Sequence, residues 1–140
     1  WKENLDWDDS IPSSIATRWR NLLEKLPELS KLKIHRFVGS CLPFKYQIVG
    51  FSDASGKAYS GTLYLRTITD NGISVSLLIA KTKLAPIKPV SIPRLELCGA
   101  LLLSQLYKFT SQFRESLPQT PMKPAFFTDS SVVLAWLNTP

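Results

Sequence analysis

Residues 48–55 read Ile48-Val49-Gly50-Phe51-Ser52-Asp53-Ala54-Ser55, a run of strand-forming residues that stops on a carboxylate. From Phe44 the apolar residues recur every second position. Phe44, Tyr46 and Ile48 fall on one side and Val49 and Phe51 on the other, which predicts a strand that becomes buried on both faces as it nears Asp53. Ser55-Gly56-Lys57 supplies a turn. A second strand is expected from Tyr59 to Ile68, where Tyr59, Gly61, Leu63 and Leu65 alternate with more polar neighbours. Asp70-Asn71-Gly72 is a hairpin signal before a third strand from Ile73 to about Ala80. Three antiparallel strands in chain order is the natural reading.

Working outward, Pro86 and Pro89 break the chain, and Pro93 suits the first turn of a long helix from Ile92 to about Phe113. Leu95, Leu97, Ala100, Leu101, Leu102, Leu103 and Leu106 leave it little polar surface, so it should pack on the sheet. After a loop marked by Pro118, Pro121 and Pro124, Ala125-Phe126-Phe127-Thr128 reads as a short strand. Ser130 or Ser131 then caps a last helix carrying Val132, Val133, Ala135, Trp136 and Leu137. The order is β-β-β-α-β-α, an α/β arrangement. On the N-terminal side, Ser10 as N-cap, or Ser13 after Pro12, opens a helix with Ile15, Trp19, Leu22, Leu23 and Leu26 at helical spacing, closed by Pro27. Residues 28–43 read as an extended connector. Trp19 and Trp136 are expected in the core.

The chain has 140 residues, 44% hydrophobic and 20% charged, which excludes disorder as a description of the whole and suits one ordinary domain. Its net charge of +6 favours a polyanionic partner. The basic excess lies in the middle, where Lys31 to Arg94 include only two acids, Asp53 and Asp70. Cys41, Cys98 and His35 cannot assemble a four-ligand zinc site or a disulfide framework. The cysteines are expected as ordinary buried thiols in a reducing compartment. No apolar run is long enough for a membrane span, and the acidic start around Asp6, Asp8 and Asp9 is unlike a secretory signal. An intracellular setting, a cytoplasmic particle or the nucleus, is therefore expected. With Trp1 at the start and Met122 as the sole methionine, the sequence is expected to be a piece of a longer protein.

After residue 30 the acids are Asp53, Asp70, Glu96, Glu115 and Asp129. Asp70 falls in a turn and Glu115 near a helix end, where solvation is easy. Asp53 and Asp129 each end an apolar strand, and Glu96 lies between Leu95 and Leu97 on the apolar helix. A carboxylate in apolar surroundings costs several kcal/mol unless its charge is compensated. Three of them converging would suit a hard divalent cation, magnesium before zinc. Taken singly, each has a plainer reading: Asp53 and Asp129 as turn or N-cap residues, and Glu96 as an ion-pair partner of Arg94 or Lys83.

Four segments carry a resemblance: Gly50-Phe51-Ser52-Asp53-Ala54-Ser55, Ala80-Lys81-Thr82-Lys83-Leu84-Ala85-Pro86, Ile92-Pro93-Arg94-Leu95-Glu96-Leu97 and Phe127-Thr128-Asp129-Ser130. In this order they resemble the ribonuclease H-like domain of BEL/Pao-type retrotransposon polyproteins. The resemblance implies a ribonuclease H-like mixed sheet over 44–140, with its last strand and helix missing. It also implies that residues 1–43 are a short helical connection segment following a reverse transcriptase. Asp53, Glu96 and Asp129 would be the catalytic acids, holding two Mg2+ ions (or Mn2+). They would hydrolyse the RNA strand of an RNA–DNA hybrid by two-metal catalysis. A fourth acidic ligand of the family would lie beyond Pro140, so the 140 residues alone are expected to make an incomplete enzyme. Lys57, Lys81, Lys83 and Arg94 would contact phosphates without reading bases. The implied partners are the hybrid and the reverse transcriptase portion of the same polyprotein, with no membrane.

Two alternatives belong to other classes. The domain could be an inactive structural or nucleic-acid-binding module of the polyprotein. It could also be an aspartic peptidase of the Pao type, although such enzymes need Asp-Thr-Gly or Asp-Ser-Gly. Here Asp53-Ala54-Ser55-Gly56 has an extra residue and Asp129-Ser130-Ser131 lacks the glycine.

Overall fold

The computed structural model describes residues 5–34, 37–38, 45–117 and 121–139. The chain divides into two compact units, Trp1–Ile34 and His35–Pro140. Cys41 and His35 lie outside the described residues.

The first unit holds α1 (Ser13–Lys25), followed without a break by a 3-10 turn, Leu26–Lys31. Of the two starts expected, the helix takes the second, opening at Ser13, with Pro12 and not Ser10 in the N-cap position and no side-chain capping bond. Pro27 does not end the helical path, because proline is tolerated in a first turn, where its missing N–H has no partner to lose. It sits in the first turn of the 3-10 segment, so the stretch to Lys31 is coiled and not extended. Trp19 is 57% exposed, so it is not a core residue of this unit. Thirteen helical residues expose too little apolar surface to each other to build a core alone.

The second unit is built on a four-stranded sheet in the order β3-β2-β1-β4, with β1 (Lys45–Ala54), β2 (Ala58–Thr69), β3 (Gly72–Leu84) and β4 (Ala125–Thr128). The first three strands are antiparallel as expected, and β4 pairs parallel to β1. The sheet is therefore mixed, and the elements follow the β-β-β-α-β-α order with one short extra helix. The β2–β3 hairpin turns at Gly72, whose φ of 133° is open to glycine and strained for any other residue. The third strand runs four residues past Ala80, to Leu84, pairing Lys81 with Gly61 and Lys83 with Tyr59.

One long helix was expected up to Phe113. Instead α2 (Ile92–Phe109) stops at Thr110 and a short α3 (Ser111–Ser116) follows. Thr110 is buried and its hydroxyl donates to the Tyr107 carbonyl, a local bond that competes with the helical ladder. The last helix, α4 (Ser131–Asn138), is capped as expected by Ser130, whose hydroxyl accepts the Val133 N–H at 3.2 Å.

Strand alternation decides where the core lies. Tyr46, Ile48, Leu63 and Leu65 point to one face and meet Leu102, Leu103 and Leu106 of α2 in a single buried cluster. The opposite face is open. There Phe51 stacks on Phe127 with ring centroids 5.3 Å apart and meets Tyr64 edge-on, yet Phe51 remains 47% exposed. The first strand is thus buried on one face only, contrary to the expectation of burial on both. Trp136 on α4 is also about half exposed, and Cys98 is partly buried. Among the described residues no helix is long and apolar enough to cross a membrane.

Candidate active site

The parallel pairing of β1 with β4 ends at Ser52 opposite Thr128. The next residue on each strand is an aspartate. Asp53, still paired with Ser60 of β2, and Asp129, just past β4, therefore follow the last paired residues at the C-terminal end of the sheet's one parallel pair, the end where open α/β sheets bind ligands. Both are exposed. The expectation of apolar surroundings is corrected for these two. Each lies one residue past the β1–β4 pairing and is exposed, so water carries most of its solvation and no large desolvation cost arises.

Local hydrogen bonds hold both aspartates in place. The Asp53 carboxylate accepts the Ala54 N–H through Oδ1 at 2.7 Å. Around Asp129, the Thr128 hydroxyl accepts the Ser130 N–H at 3.3 Å and Ser130 then caps α4. The plainer reading of these two residues is corrected: Asp53 is a paired strand residue, and Ser130, not Asp129, caps α4.

Glu96 is half-buried on the second turn of α2. It shares a flank of the helix with Ala100 and Tyr107 by helical spacing. That flank leans toward β4, because the Tyr107 ring meets Phe126 edge-on at 5.1 Å. The helix crosses the end of β1 closely: a Cβ built on Gly99 would stand 3.3 Å from the Asp53 carbonyl oxygen. No ion pair joins Glu96 to Arg94 or Lys83 among the described residues, nor does any cation pair with Asp53 or Asp129.

As they stand, the described residues contain no group of three His, Cys, Asp or Glu side chains able to hold one metal ion. Alternation accounts for this. Ser52 is the residue turned to α2, its Cβ 3.6 Å from the position a Cβ on Gly99 would take, so the Asp53 side chain starts out on the other face from Glu96. The donor set nevertheless fits a hard divalent cation. Two exposed, unpaired carboxylates on neighbouring strands offer what magnesium commonly takes from protein, one or two carboxylates with water and phosphate completing its shell.

The basic residues gather at the same end of the sheet. Lys57 lies in the β1–β2 turn, where its carbonyl accepts the Ala85 N–H at 2.8 Å and ties the end of β3 to that turn. Register puts Lys81 and Lys83 on the α2 side of the sheet, opposite Gly61 and Tyr59, and Arg94 is in the first turn of α2. All four are exposed. Gly99 and Gly61 stand out only in the approach of helix to sheet, which no local sequence signal announces.

Comparison with curated proteins finds no match. A family model described as the Pao retrotransposon-like RNaseH-like domain matches residues 1–130.

Proposed function

The chain belongs to the Pao retrotransposon-like RNaseH-like domain family, and from that premise we propose that it is the nuclease region of a retroelement polyprotein, cutting the RNA strand of RNA–DNA hybrids. The observation that carries the reading is the pair of aspartates, Asp53 and Asp129, each next after the last paired residues of the parallel strands, with α2 resting on the backbone at Asp53 and Ser60.

In this reading Asp53 and Asp129 would hold Mg2+, and Glu96, on α2, would be the third acid of the site. Bound there, the ions would supply a water-derived hydroxide and charge neutralisation at the scissile phosphate. The chain's own residues do the rest. The strand ends fix the spacing of the two carboxylates, since each follows a hydrogen-bonded position of the same ladder. Lys57, Lys81, Lys83 and Arg94 draw a phosphate backbone to that end of the sheet, a contact without base specificity. The choice of the RNA strand rests on its 2′-hydroxyls.

The test uses the full-length polyprotein. Asp53→Asn and Asp129→Asn should each abolish Mg2+-dependent cleavage of hybrid RNA while hybrid binding persists. Unchanged cleavage would remove the assignment. One observation favours a second reading, a nucleic-acid-binding module without catalysis: the acids do not form a three-ligand group among the described residues. In that case the wild-type polyprotein binds the hybrid and leaves it intact. The peptidase alternative gains nothing from the geometry of Asp53-Ala54-Ser55-Gly56, a turn in which the Ser55 N–H donates to the Ala58 carbonyl at 2.8 Å.

A further inference from the structure

We propose that the α2-side strip of β3 is a phosphate rail: Lys81 and Lys83 take successive phosphates of one strand of a bound nucleic acid, and Arg94 of α2 continues the same line. The inference rests on the reading of the partner as a nucleic acid and not on the cation site.

The cover over the sheet decides where the strip lies. α2 packs on β1 and β2, and of β3 Leu78 and Ile79 join the packing beneath it. Past them β3 runs on to Leu84, with Lys81 opposite Gly61 and Lys83 opposite Tyr59. At Gly61 the helix comes close, since a Cβ there would stand 3.1 Å from the N and Cα of Leu103. Lys81 is exposed, so it rises beside the helix and not beneath it. Lys83 follows two residues later on the same face, about 7 Å on, close to the separation of neighbouring phosphates along one strand. The backbone under both is fixed, because each is paired in the sheet and the Ala85 N–H donates to the Lys57 carbonyl at 2.8 Å just beyond.

The helix supplies the third charge. Glu96 shares the flank of Tyr107, which meets Phe126 of β4. Arg94 precedes Glu96 by two residues, about 200° round the helix, which sets it on the flank toward β3. Glu96 is the one acid of α2, and β3 has none. A row of exposed cations with no carboxylate among them suits a polyanion. Regular spacing on a rigid strand suits one that repeats its charge.

The experiment follows binding of a short RNA–DNA hybrid to the 140-residue chain in EDTA, by fluorescence anisotropy, as salt is raised. Lys81→Gln and Lys83→Gln should each lower the slope of log K against log salt concentration by about one, the share of one phosphate contact. Lys123→Gln, an exposed cation just before β4 at the far edge of the sheet, should leave it unchanged. The decisive variant exchanges neighbours: Lys81→Thr with Thr82→Lys keeps the net charge and turns the ammonium to the other face. It should lose as much as Lys81→Thr alone. Recovery of the wild-type slope in the exchange would overturn the proposal, as would equal losses from Lys81→Gln and Lys123→Gln. Hybrids with one or the other strand made neutral by methylphosphonate linkages test the single strand. The effect of both lysines should vanish with the same strand, and a split between the strands would overturn it. Should the exchange fail to fold, the Gln variants decide alone, and unchanged slopes overturn the rail. If the wild-type chain does not bind the hybrid at all, the nucleic-acid reading itself fails and takes this inference with it. If it binds with a slope indifferent to Lys81 and Lys83, only the rail falls.

Discussion

The two faces of the sheet are made by alternate residues of the same strands, and they meet different fates. Toward α2, Leu63 and Leu65 have no exposed surface at all, whereas on the other face Val75 is 60% exposed and Phe127 53%. Both faces are apolar in sequence. What separates them is the partner: within the second unit α2 lies on one, and no described element of that unit lies on the other. Burial thus belongs to a pair of elements, and a strand's own pattern tells only which residues share a face. The acids stand at the end common to both faces, beyond the reach of either packing surface.

This contrast can be broken most forcefully at its packed side. Leu103 touches both Gly61 and Gly50 across the helix–sheet seam, and Leu103→Ala should cost about 2–5 kcal/mol in a urea unfolding series. A cost under about 1 kcal/mol would mean that α2 is not the cover it is taken to be. Gly61→Ala comes next. Its new methyl meets helix backbone at 3.1 Å, and overpacking of that kind costs about 1–3 kcal/mol.

On the open face the same size of change should be felt far less. Phe51→Ser should alter the unfolding free energy by under about 1 kcal/mol, because its ring is only half removed from water, and it should lower binding of an apolar dye. A loss as large as that of Leu103→Ala would show that something covers this face in solution.

The sheet was legible because its signals are local. Period-two alternation and Asp70-Asn71-Gly72 located three strands and their hairpin, and the Ser130 cap located α4. The extension of β3 to Leu84 was hidden because Lys81, Thr82 and Lys83 carry no apolar alternation on an edge that water can reach. The break at Thr110 was hidden too, since it comes from a side-chain hydrogen bond and not from glycine or proline. Trp19 and Trp136 stay about half exposed because residue type alone says nothing of the surface available to cover a side chain. In the site, Asp53, Glu96 and Asp129 stood out as acids at the ends or within apolar runs. Asp53 and Asp129 are exposed, so burial does not set them apart; the parallel pairing of β1 with β4 is what brings them to neighbouring positions. Gly99 could not be read in advance, since its importance depends on a backbone approach between residues far apart in sequence.

The smallest expected change in stability is at the site itself. Asp53→Asn and Asp129→Asn, exposed and without a cationic partner among the described residues, should move the unfolding free energy by no more than about 0.5 kcal/mol. A large destabilisation would make these aspartates structural and leave the strand ends without a separate task.

The most direct measurement locates the ion. Crystals of the chain soaked in Mn2+ should give an anomalous difference peak between the carboxylates of Asp53 and Asp129, lost in Asp53→Asn. Manganese bound elsewhere, with no peak at the paired strand ends, would contradict the account.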